Sequence, residues 1–512
     1  MHDWSEGYMT ELAYTYGYYP ELNPLRARLA LLEAGIAPPS VQTACELGFG
    51  QGMSINIHAV AADAAWHGTD FNPAQVGFAR ELAQDLPLAA NLSDEAFEQF
   101  CQRDDLPQFD FIALHGIWSW ISDANRSVIA SFIERKLKVG GVVYVSYNTQ
   151  PGWAATGPLT ELMAGFDAAL NPPGIGPVAR IDAALDFVDG LVAGGALYGK
   201  VNPQVAEHIK RLRGQDRRYL AHEYFNRDWQ PMPFARMRTW MEGAKLTYAT
   251  SAQFLDHVPM LNLTAPQQEM LAAIPDAGFR ETTRDFVVNR LFRRDYWVRG
   301  ARRLAAPDRA ERLRAVRVVL ATPAANVKLK VSGALGEANL HEDVYRPILD
   351  ALADHRPRSL GELETALAPH GAGLARIVEA VMILAGAGNL HPAQEHEAIE
   401  RARPGTVLLN GRLCALARYA EEVGCLASPV TGGGFPVRRI DQLFLLARSL
   451  GFAGIDALAR FAADVLQAQG QRIMHDGQPV LDDAQQLDML RTQAQAFDAT
   501  RLPVLLALGV AA

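Results

Sequence analysis

Ala44-Cys45-Glu46-Leu47-Gly48-Phe49-Gly50-Gln51-Gly52 is the stretch that decides the fold. A short apolar run of strand type leads into it, and a helical pattern over 53–62 follows. Glycines at 48, 50 and 52 let the chain turn sharply and approach a ligand with no Cβ in the way. About 20 residues on, a second apolar segment ends in Gly68-Thr69-Asp70, where a carboxylate can accept hydrogen bonds from both hydroxyls of a ribose. Strand, glycine turn, helix and a second strand ending in an acid predict an open α/β sheet. Such a sheet holds a nucleoside-bearing cofactor at its carboxyl edge.

The spacing separates two cofactor classes. A dinucleotide fingerprint reads G-x-G-x-x-G, with a pyrophosphate on the helix N-terminus. Here Met53 stands where its third glycine belongs. The pattern present is E-x-G-x-G-x-G over 46–52, which resembles motif I of class I S-adenosylmethionine (AdoMet) methyltransferases. That resemblance implies that Glu46, Gly48, Gly50 and Gly52 surround the methionine part of AdoMet and that Asp70 holds the ribose. Phe71 would flank the adenine, and Asp94 with the backbone of Glu95 would reach its amino group.

Outward from this stretch, strand signals at 43–47, 65–69, 87–91, 109–114 and 141–146 alternate with helix signals at 54–62, 73–84, 94–103 and 124–137. That alternation predicts right-handed crossovers and a parallel sheet covered on both faces. Residues 48–52, Asp70, Asp94 and 114–118 all fall at strand carboxyl ends, where ligands bind in such sheets. Residues 154–240 read as mainly helical, with a Gly/Pro-rich break at 171–177, inserted over the active-site edge as a lid or substrate-selecting element. Segments 245–254 and 283–298 read as two closing strands, one antiparallel, which completes a seven-stranded Rossmann-like sheet.

The organisation expected is therefore an N-terminal cofactor cover (1–40), a core (41–153), a helical insertion (154–240) and closing strands (241–299). A linker (300–326), a winged-helix-like module (327–400) and a C-terminal helical domain (401–512) follow. The module rests on a strand at 327–331, helices at 342–354, 359–369 and 374–388, and a turn at 388–392. Its third helix carries only Arg376 and Glu379 as charges over 374–387, which favours protein or intramolecular packing over DNA. The triple glycine at 432–434 reads as a loop.

Composition narrows the function. The 512 residues allow roughly three domains, and 49% hydrophobic residues supply sizeable cores. A net charge of −9 argues against a dedicated nucleic-acid binder. The basic runs Lys210-Arg211-Leu212-Arg213, Arg217-Arg218 and 290–303 read as solvated faces or internal ion pairs. Cys45, Cys101, Cys414 and Cys425 are scattered, without zinc spacing, so no metal site is expected and the thiols read as reduced. Residues 1–6 lack a basic and apolar leader pattern, and no apolar run approaches the roughly 20 residues of a membrane span. A cytoplasmic protein with no membrane partner is expected.

Three further stretches carry a closer resemblance: Phe109-Asp110-Phe111-Ile112-Ala113-Leu114-His115-Gly116-Ile117-Trp118-Ser119-Trp120, Val145-Ser146-Tyr147-Asn148-Thr149-Gln150-Pro151-Gly152-Trp153, and Tyr219-Leu220-Ala221-His222-Glu223-Tyr224-Phe225. With them the chain resembles bacterial methyltransferases that carry a methyltransferase regulatory domain, among them rickettsial protein lysine methyltransferases. The resemblance implies AdoMet as cofactor, Leu114 and His115 in motif IV beside the reacting methyl, and Tyr18 and Tyr19 in the N-terminal cover. The expected acceptor is a protein lysine, on a surface or secreted protein before export. An O- or N-methyltransferase acting on a surface polysaccharide or small metabolite is the alternative, and a homodimer is left open.

On the acceptor side the residues allow two readings each. Trp118, Trp120, Tyr147 and Trp153 either wall an aromatic channel, which lowers a lysine pKa by desolvation and holds the cationic product, or pack in the core. His115 either takes a proton or is structural. His222 and Glu223 either position the acceptor or lie solvated on a helix. The N/D-P-P-Y/F motif of planar-amine methyltransferases is absent, Leu114-His115-Gly116-Ile117 standing in its place.

Overall fold

The computed structural model describes residues 7–10, 12, 14–170, 174–475 and 478–511. The opening residues 1–6 and the start of the Gly/Pro-rich break, 171–173, lie outside the described residues. Helix α1 (Pro24–Glu33) precedes the glycine stretch. It begins at Asn23, whose side chain accepts from the Leu25 N–H. The alternating segment then gives β1 (Thr43–Leu47), α2 (Met53–Ala61), β2 (Ala65–Asp70), α3 (Pro73–Ala83), β3 (Asn91–Asp94), α4 (Phe97–Gln102), β4 (Phe109–Leu114), α5 (Asp123–Lys136) and β5 (Leu137–Asn148). The insertion supplies α6 (Gly157–Leu170), α7 (Pro177–Ala193), α8 (Leu197–Val201), α9 (Gln204–Arg213) and α10 (Arg217–Tyr224). Helix α11 (Phe234–Gly243), β6 (Leu246–Ser251) and β7 (Phe292–Arg299) close the sheet.

The seven strands run in the order β3-β2-β1-β4-β5-β7-β6. The first five are parallel, and β7 is antiparallel to both its neighbours. Order reverses between β1 and β4, so the loops after these strands open a crevice at the carboxyl edge. The central strands are buried on both faces, as near-continuous apolar runs require. Phe111, Ala113 and Tyr144 face one core, while Ile112, Leu114 and Tyr147 face another.

Two strand readings shift. The weak strand at 87–91 lies at 91–94, and 283–287 belongs to a helix, Ala277–Val287, capped by Asp276 accepting from the Phe279 N–H. A side-chain cap of this kind outweighs the β-branched and aromatic composition of the segment.

Beyond β7 the linker reading also changes. Residues 300–326 hold a helix, Ala306–Arg314, and a strand, Arg317–Leu320, which is the centre of a three-stranded sheet with Arg358–Ser359 and Leu390–Ala393. Helices Glu342–Ala351, Leu360–Leu367 and Leu374–Gly386 pack around it. Leu374–Gly386 is buried along most of its length, in the same apolar core as α1. The triple glycine forms part of a hairpin, Cys425–Ser428 with Gly433–Pro436.

That hairpin and helix His396–Leu416 close over the outer face of α2, all of whose residues are buried. Even its polar residues Ser54, Asn56 and His58 are buried, so the helix is covered on every side. The C-terminal region therefore clamps the helix that carries the glycine turn. No single helix among the described residues is long and apolar enough to cross a membrane.

Candidate active site

The turn after β1 places its backbone by glycine. Gly48 has φ +72°, and a Cβ there would stand 2.4 Å from Ile117 Cδ1. Gly50 has φ +57°, and a Cβ there would meet Tyr14 at 3.3 Å. Both positions would be strained and filled by any other residue.

Gly50 N–H donates to Asp70 Oδ2 at 2.8 Å, and Asn72 N–H donates to Asp70 Oδ1 at 3.0 Å. The end of β2 and the glycine turn are thus one hydrogen-bonded unit. Burial pushes the Asp70 carboxyl up to about 6 despite these bonds. Glu46, 1% exposed, has one carboxylate oxygen without a partner, and burial with the neighbouring Asp70 raises it well above the usual carboxylate range. An orphaned buried carboxylate oxygen beside a backbone cradle fits a ligand that brings its own cation.

The cleft above this unit encloses about 1130 Å³ between atoms, part of it open to solvent. On the cofactor side its walls are Gly48, Gly50, Asp70, Phe71, Glu95 and Phe97. On the other side stand His115, Gly116, Ile117, Trp120, Ile121 and Asp228. Among the described residues no lysine or arginine lines it. The nearby Arg126 is turned away, bonding the Trp118 carbonyl, Asp123 and Gln230. Among the described residues no group of three or more His, Cys, Asp and Glu could hold a metal ion.

A strap of N-terminal residues roofs the cleft. The Tyr8 ring meets Phe71 edge-on at 5.6 Å, and Tyr14 lies between Gly50 and Gly116. Tyr19 stacks on His115, with centroids 3.5 Å apart. Helix α10 and the loop after it hold the strap in place. His222 Nε2 donates to the Leu12 carbonyl, Asn226 Oδ1 accepts from Met9 N–H, and Arg227 N–H donates to the Gly7 carbonyl.

Of the residues singled out in the sequence, Tyr19, Gly48, Gly50, Asp70, Phe71, Glu95, His115 and Trp120 line the one cleft. Glu46, Gly52 and Leu114 lie behind its wall. Gly52 packs where a Cβ would be 2.4 Å from Ala79 Cβ. Asp94 lies on a separate shallow shelf with Arg80 and Arg103. Tyr18 points away from the cleft, against His58 and the glycines of the C-terminal hairpin.

Trp118 and Tyr147 sit in the core rather than on the cleft wall. Trp118 packs on Trp240, and the Tyr147 hydroxyl donates to Asp295 at 2.8 Å. Trp153 packs on Trp229 and His208. His115 Nδ1 is 2.8 Å from the Tyr144 hydroxyl, and burial with the Arg294 charge holds the ring well below its usual pKa, hence neutral. His222 and Glu223 stand behind the strap. Burial pushes the Glu223 carboxyl up to about 8. Tyr8 and Asp228, which also line the cleft, carry no local sequence signal, and Tyr14 had only its place in an aromatic cluster.

The comparisons with known proteins follow this geometry. Residues 216–299 match the family described as a predicted methyltransferase regulatory domain. Over 512 residues, 99% of each chain, the sequence is 39% identical to an uncharacterised protein of Synechocystis. The chain is a class I AdoMet-dependent methyltransferase with a regulatory domain. A protein of Rickettsia prowazekii, RP789, is 26% identical over 287 residues, 55% of this methyltransferase and 51% of its own length. PKMT2 from Rickettsia typhi, solved in complex with AdoHcy, superposes with a TM-score of 0.68 at 17% identity, over 96% of this chain and 99% of that one. That likeness spans the sheet, the insertion and the C-terminal region, so all three belong to one shared fold. In the methyltransferase the regulatory segment begins at α10, the helix that holds the strap over the cleft.

Proposed function

We propose that this methyltransferase carries the methyl group of AdoMet to an amine, and specifically to the ε-amine of a protein lysine. The observation that carries the reading is the charge of the cleft. Asp70, Glu95 and Asp228 line it, Glu95 paired with Arg103 at 3.3 Å and Asp228 with Arg227 at 3.5 Å from behind the wall, and no lysine or arginine lines it among the described residues. Such a wall attracts an ammonium and repels a phosphate or carboxylate acceptor. The fold shared with PKMT2 is compatible with that acceptor.

The residues present fit the cofactor. Glu46 and the glycine turn would hold its amino-acid end, Asp70 its ribose hydroxyls, and Phe71 with Phe97 its base. When bound, AdoMet supplies a methyl on a sulfonium sulfur, open to in-line attack with a neutral thioether leaving. The remaining work falls to the protein. Tyr8, Tyr14 and Tyr19 close the roof and exclude water, which holds the reacting groups in line. Trp120 and Ile121 present an apolar wall to the acceptor stem, and the Trp120 face favours a cation beside it. A lysine must first lose a proton, since its free pKa is about 10.4. His222 holds the roof in place through Leu12, and neutral His115 braces it through Tyr19.

Methyl-labelled AdoMet with a host-cell lysate tests the proposal. Label recovered as methyl-lysine after protein hydrolysis supports it. Label confined to a glycan or small-molecule fraction overturns the lysine acceptor and points to a sugar or metabolite instead.

A further inference from the structure

We propose that Tyr144 and Ser146 of β5 are positioning residues for methyl transfer: acting through His115 and Gly116, they set the acceptor half of the cleft. The proposal rests on AdoMet chemistry alone and holds whichever acceptor the enzyme takes.

The two side chains stand at alternate positions of one strand, so they leave the same face of the sheet. Both residues are fully buried, and neither lines the cleft. Each instead holds a residue that does. The β4–β5 ladder ends with Leu114 opposite Val145. Beyond it the chain leaves the sheet through His115 and turns at Gly116, where φ is +64°. Gly116 N–H donates to Ser146 Oγ at 2.8 Å. A side chain thus takes over from the ladder at the point where the backbone turns away. This bond fixes the peptide between His115 and Gly116, and with it the way motif IV faces the cleft.

Tyr144 fixes the other half of the pair. Its hydroxyl lies 2.8 Å from His115 Nδ1, and the imidazole is neutral. A phenol O–H is more acidic than the N–H of a neutral imidazole, and an imidazole nitrogen is more basic than a phenol oxygen. Tyr144 therefore donates to Nδ1, which places the ring's own proton on Nε2. The fixed ring is the surface on which Tyr19 stacks at 3.5 Å. The three rings are close to parallel, His115 at 16° to Tyr19 and 11° to Tyr144. Tyr144 in turn packs on Tyr296 at 5.8 Å, whose hydroxyl donates to the Glu21 carbonyl at 2.6 Å, just past Tyr19 in the chain. One strand thus sets the wall through Ser146 and the roof through Tyr144.

The cofactor half is built without either residue. Asp70 is bonded to Gly50 and Asn72, and Phe71 meets Tyr8. In-line attack depends on how nucleophile, methyl and sulfur are aligned, and a misplacement of about 1 Å costs about 10²-fold in rate. A loosened motif IV therefore shows in turnover and not in cofactor affinity.

Ser146→Ala and Tyr144→Phe each remove one hydroxyl and keep the shape of the core. AdoHcy formation with lysate as acceptor, less that of lysate alone, counts every acceptor class. It should give a kcat about 10- to 100-fold below wild type in each variant. The KM for AdoMet and the AdoHcy affinity should stay within threefold of wild type. A role in packing alone would not produce that split.

Hydrogen exchange reads the Ser146 contact without turnover. The Gly116 amide should exchange at least tenfold faster in Ser146→Ala, with the Gly50 amide, bonded to Asp70, unchanged. Turnover within threefold of wild type in both variants overturns the positioning role. So does a kcat loss matched by an equal loss of AdoHcy affinity, or a Gly116 amide that exchanges no faster. AdoHcy formed with the kcat split intact but no methyl-lysine overturns the lysine reading and supports the positioning role.

Discussion

Replacing Asp70 by asparagine separates cofactor binding from folding. In wild type the two carboxylate oxygens accept from Gly50 N–H and Asn72 N–H at 2.8 and 3.0 Å, leaving lone pairs for two ribose hydroxyls. An amide offers one oxygen and one NH₂, so it faces one backbone donor with another donor, carries no charge, and meets the ribose hydroxyls with one acceptor in place of two. A hydrogen bond to a charged group contributes about 1.5–3 kcal/mol. Losing one and weakening the other amounts to about 2–4 kcal/mol, or a 30- to 1000-fold loss in affinity.

The folded protein gains at the same time. Keeping this carboxyl ionised costs the shift from 3.8 to about 6, roughly 3 kcal/mol at neutral pH. The unpaired backbone donor returns about 1–3 kcal/mol of that. Asp70→Asn should therefore leave thermal stability near or slightly above wild type at pH 7 while AdoMet binding collapses.

The pH dependence carries the same sign logic. Because the folded pKa is raised, Asp70 destabilises the cofactor-free protein increasingly as pH climbs from about 3.8 to about 6. AdoMet affinity should fall as pH drops below about 6, where the carboxyl protonates, and this limb should be absent in the variant. Isothermal titration with AdoMet from pH 5 to 8, alongside thermal unfolding, measures both. Binding by Asp70→Asn within threefold of wild type, or a wild-type affinity flat through pH 6, would refute the reasoning.

Other substitutions test neighbouring parts of the account. Gly52→Ala sets a Cβ 2.4 Å from Ala79 Cβ at φ +71°; overpacking and left-handed strain should cost about 2–5 kcal/mol in a denaturant titration. Asn23→Ala removes the α1 cap and the 2.9 Å bond to the Thr431 carbonyl, which ties α1 to the C-terminal hairpin. It should destabilise the whole chain by about 1–3 kcal/mol in one cooperative transition, since α1 shares one core with the sheet and with the helices over 342–386. Trp120→Ala should raise the acceptor KM at least tenfold with AdoHcy affinity unchanged in steady-state and binding assays, because its ring lies on the acceptor wall.

Much of the core was legible because its signals are local. The strand–turn–helix at Gly48 to Gly52 and the acid at Asp70 encode their own geometry, and the parallel pairing of the first five strands follows from alternating strands and helices. Lost were features made by distant chain segments. Tyr8 and Tyr14 reach the cleft only because α10, over 200 residues on, holds the strap against it. Asp228 arrives on the loop before α11.

Trp118 and Tyr147 illustrate the opposite error. Tyr147 lies on a strand buried on both faces, which offers half its rings to the far side of the sheet, and Trp118 on the short helical turn Trp118–Trp120 after β4; sequence alone does not tell which of these rings faces the ligand. The strand Arg317–Leu320 was hidden because three apolar residues, Val318, Val319 and Leu320, within a charged, Ala-rich stretch carry no periodicity. Its pairing with Leu390–Ala393 makes it a strand. The triple glycine looked like a free loop, yet Gly433 and Gly434 are small because the Tyr18 ring packs against them.

The most direct test of the central claim is a crystal structure of the protein with AdoHcy. The account predicts its ribose hydroxyls on Asp70, its amino-acid end on the glycine turn and Glu46, and its sulfur between Gly50 and Gly116 beneath Tyr14. AdoHcy bound away from this cleft, or a nicotinamide dinucleotide taking the same cleft in its place, would contradict it.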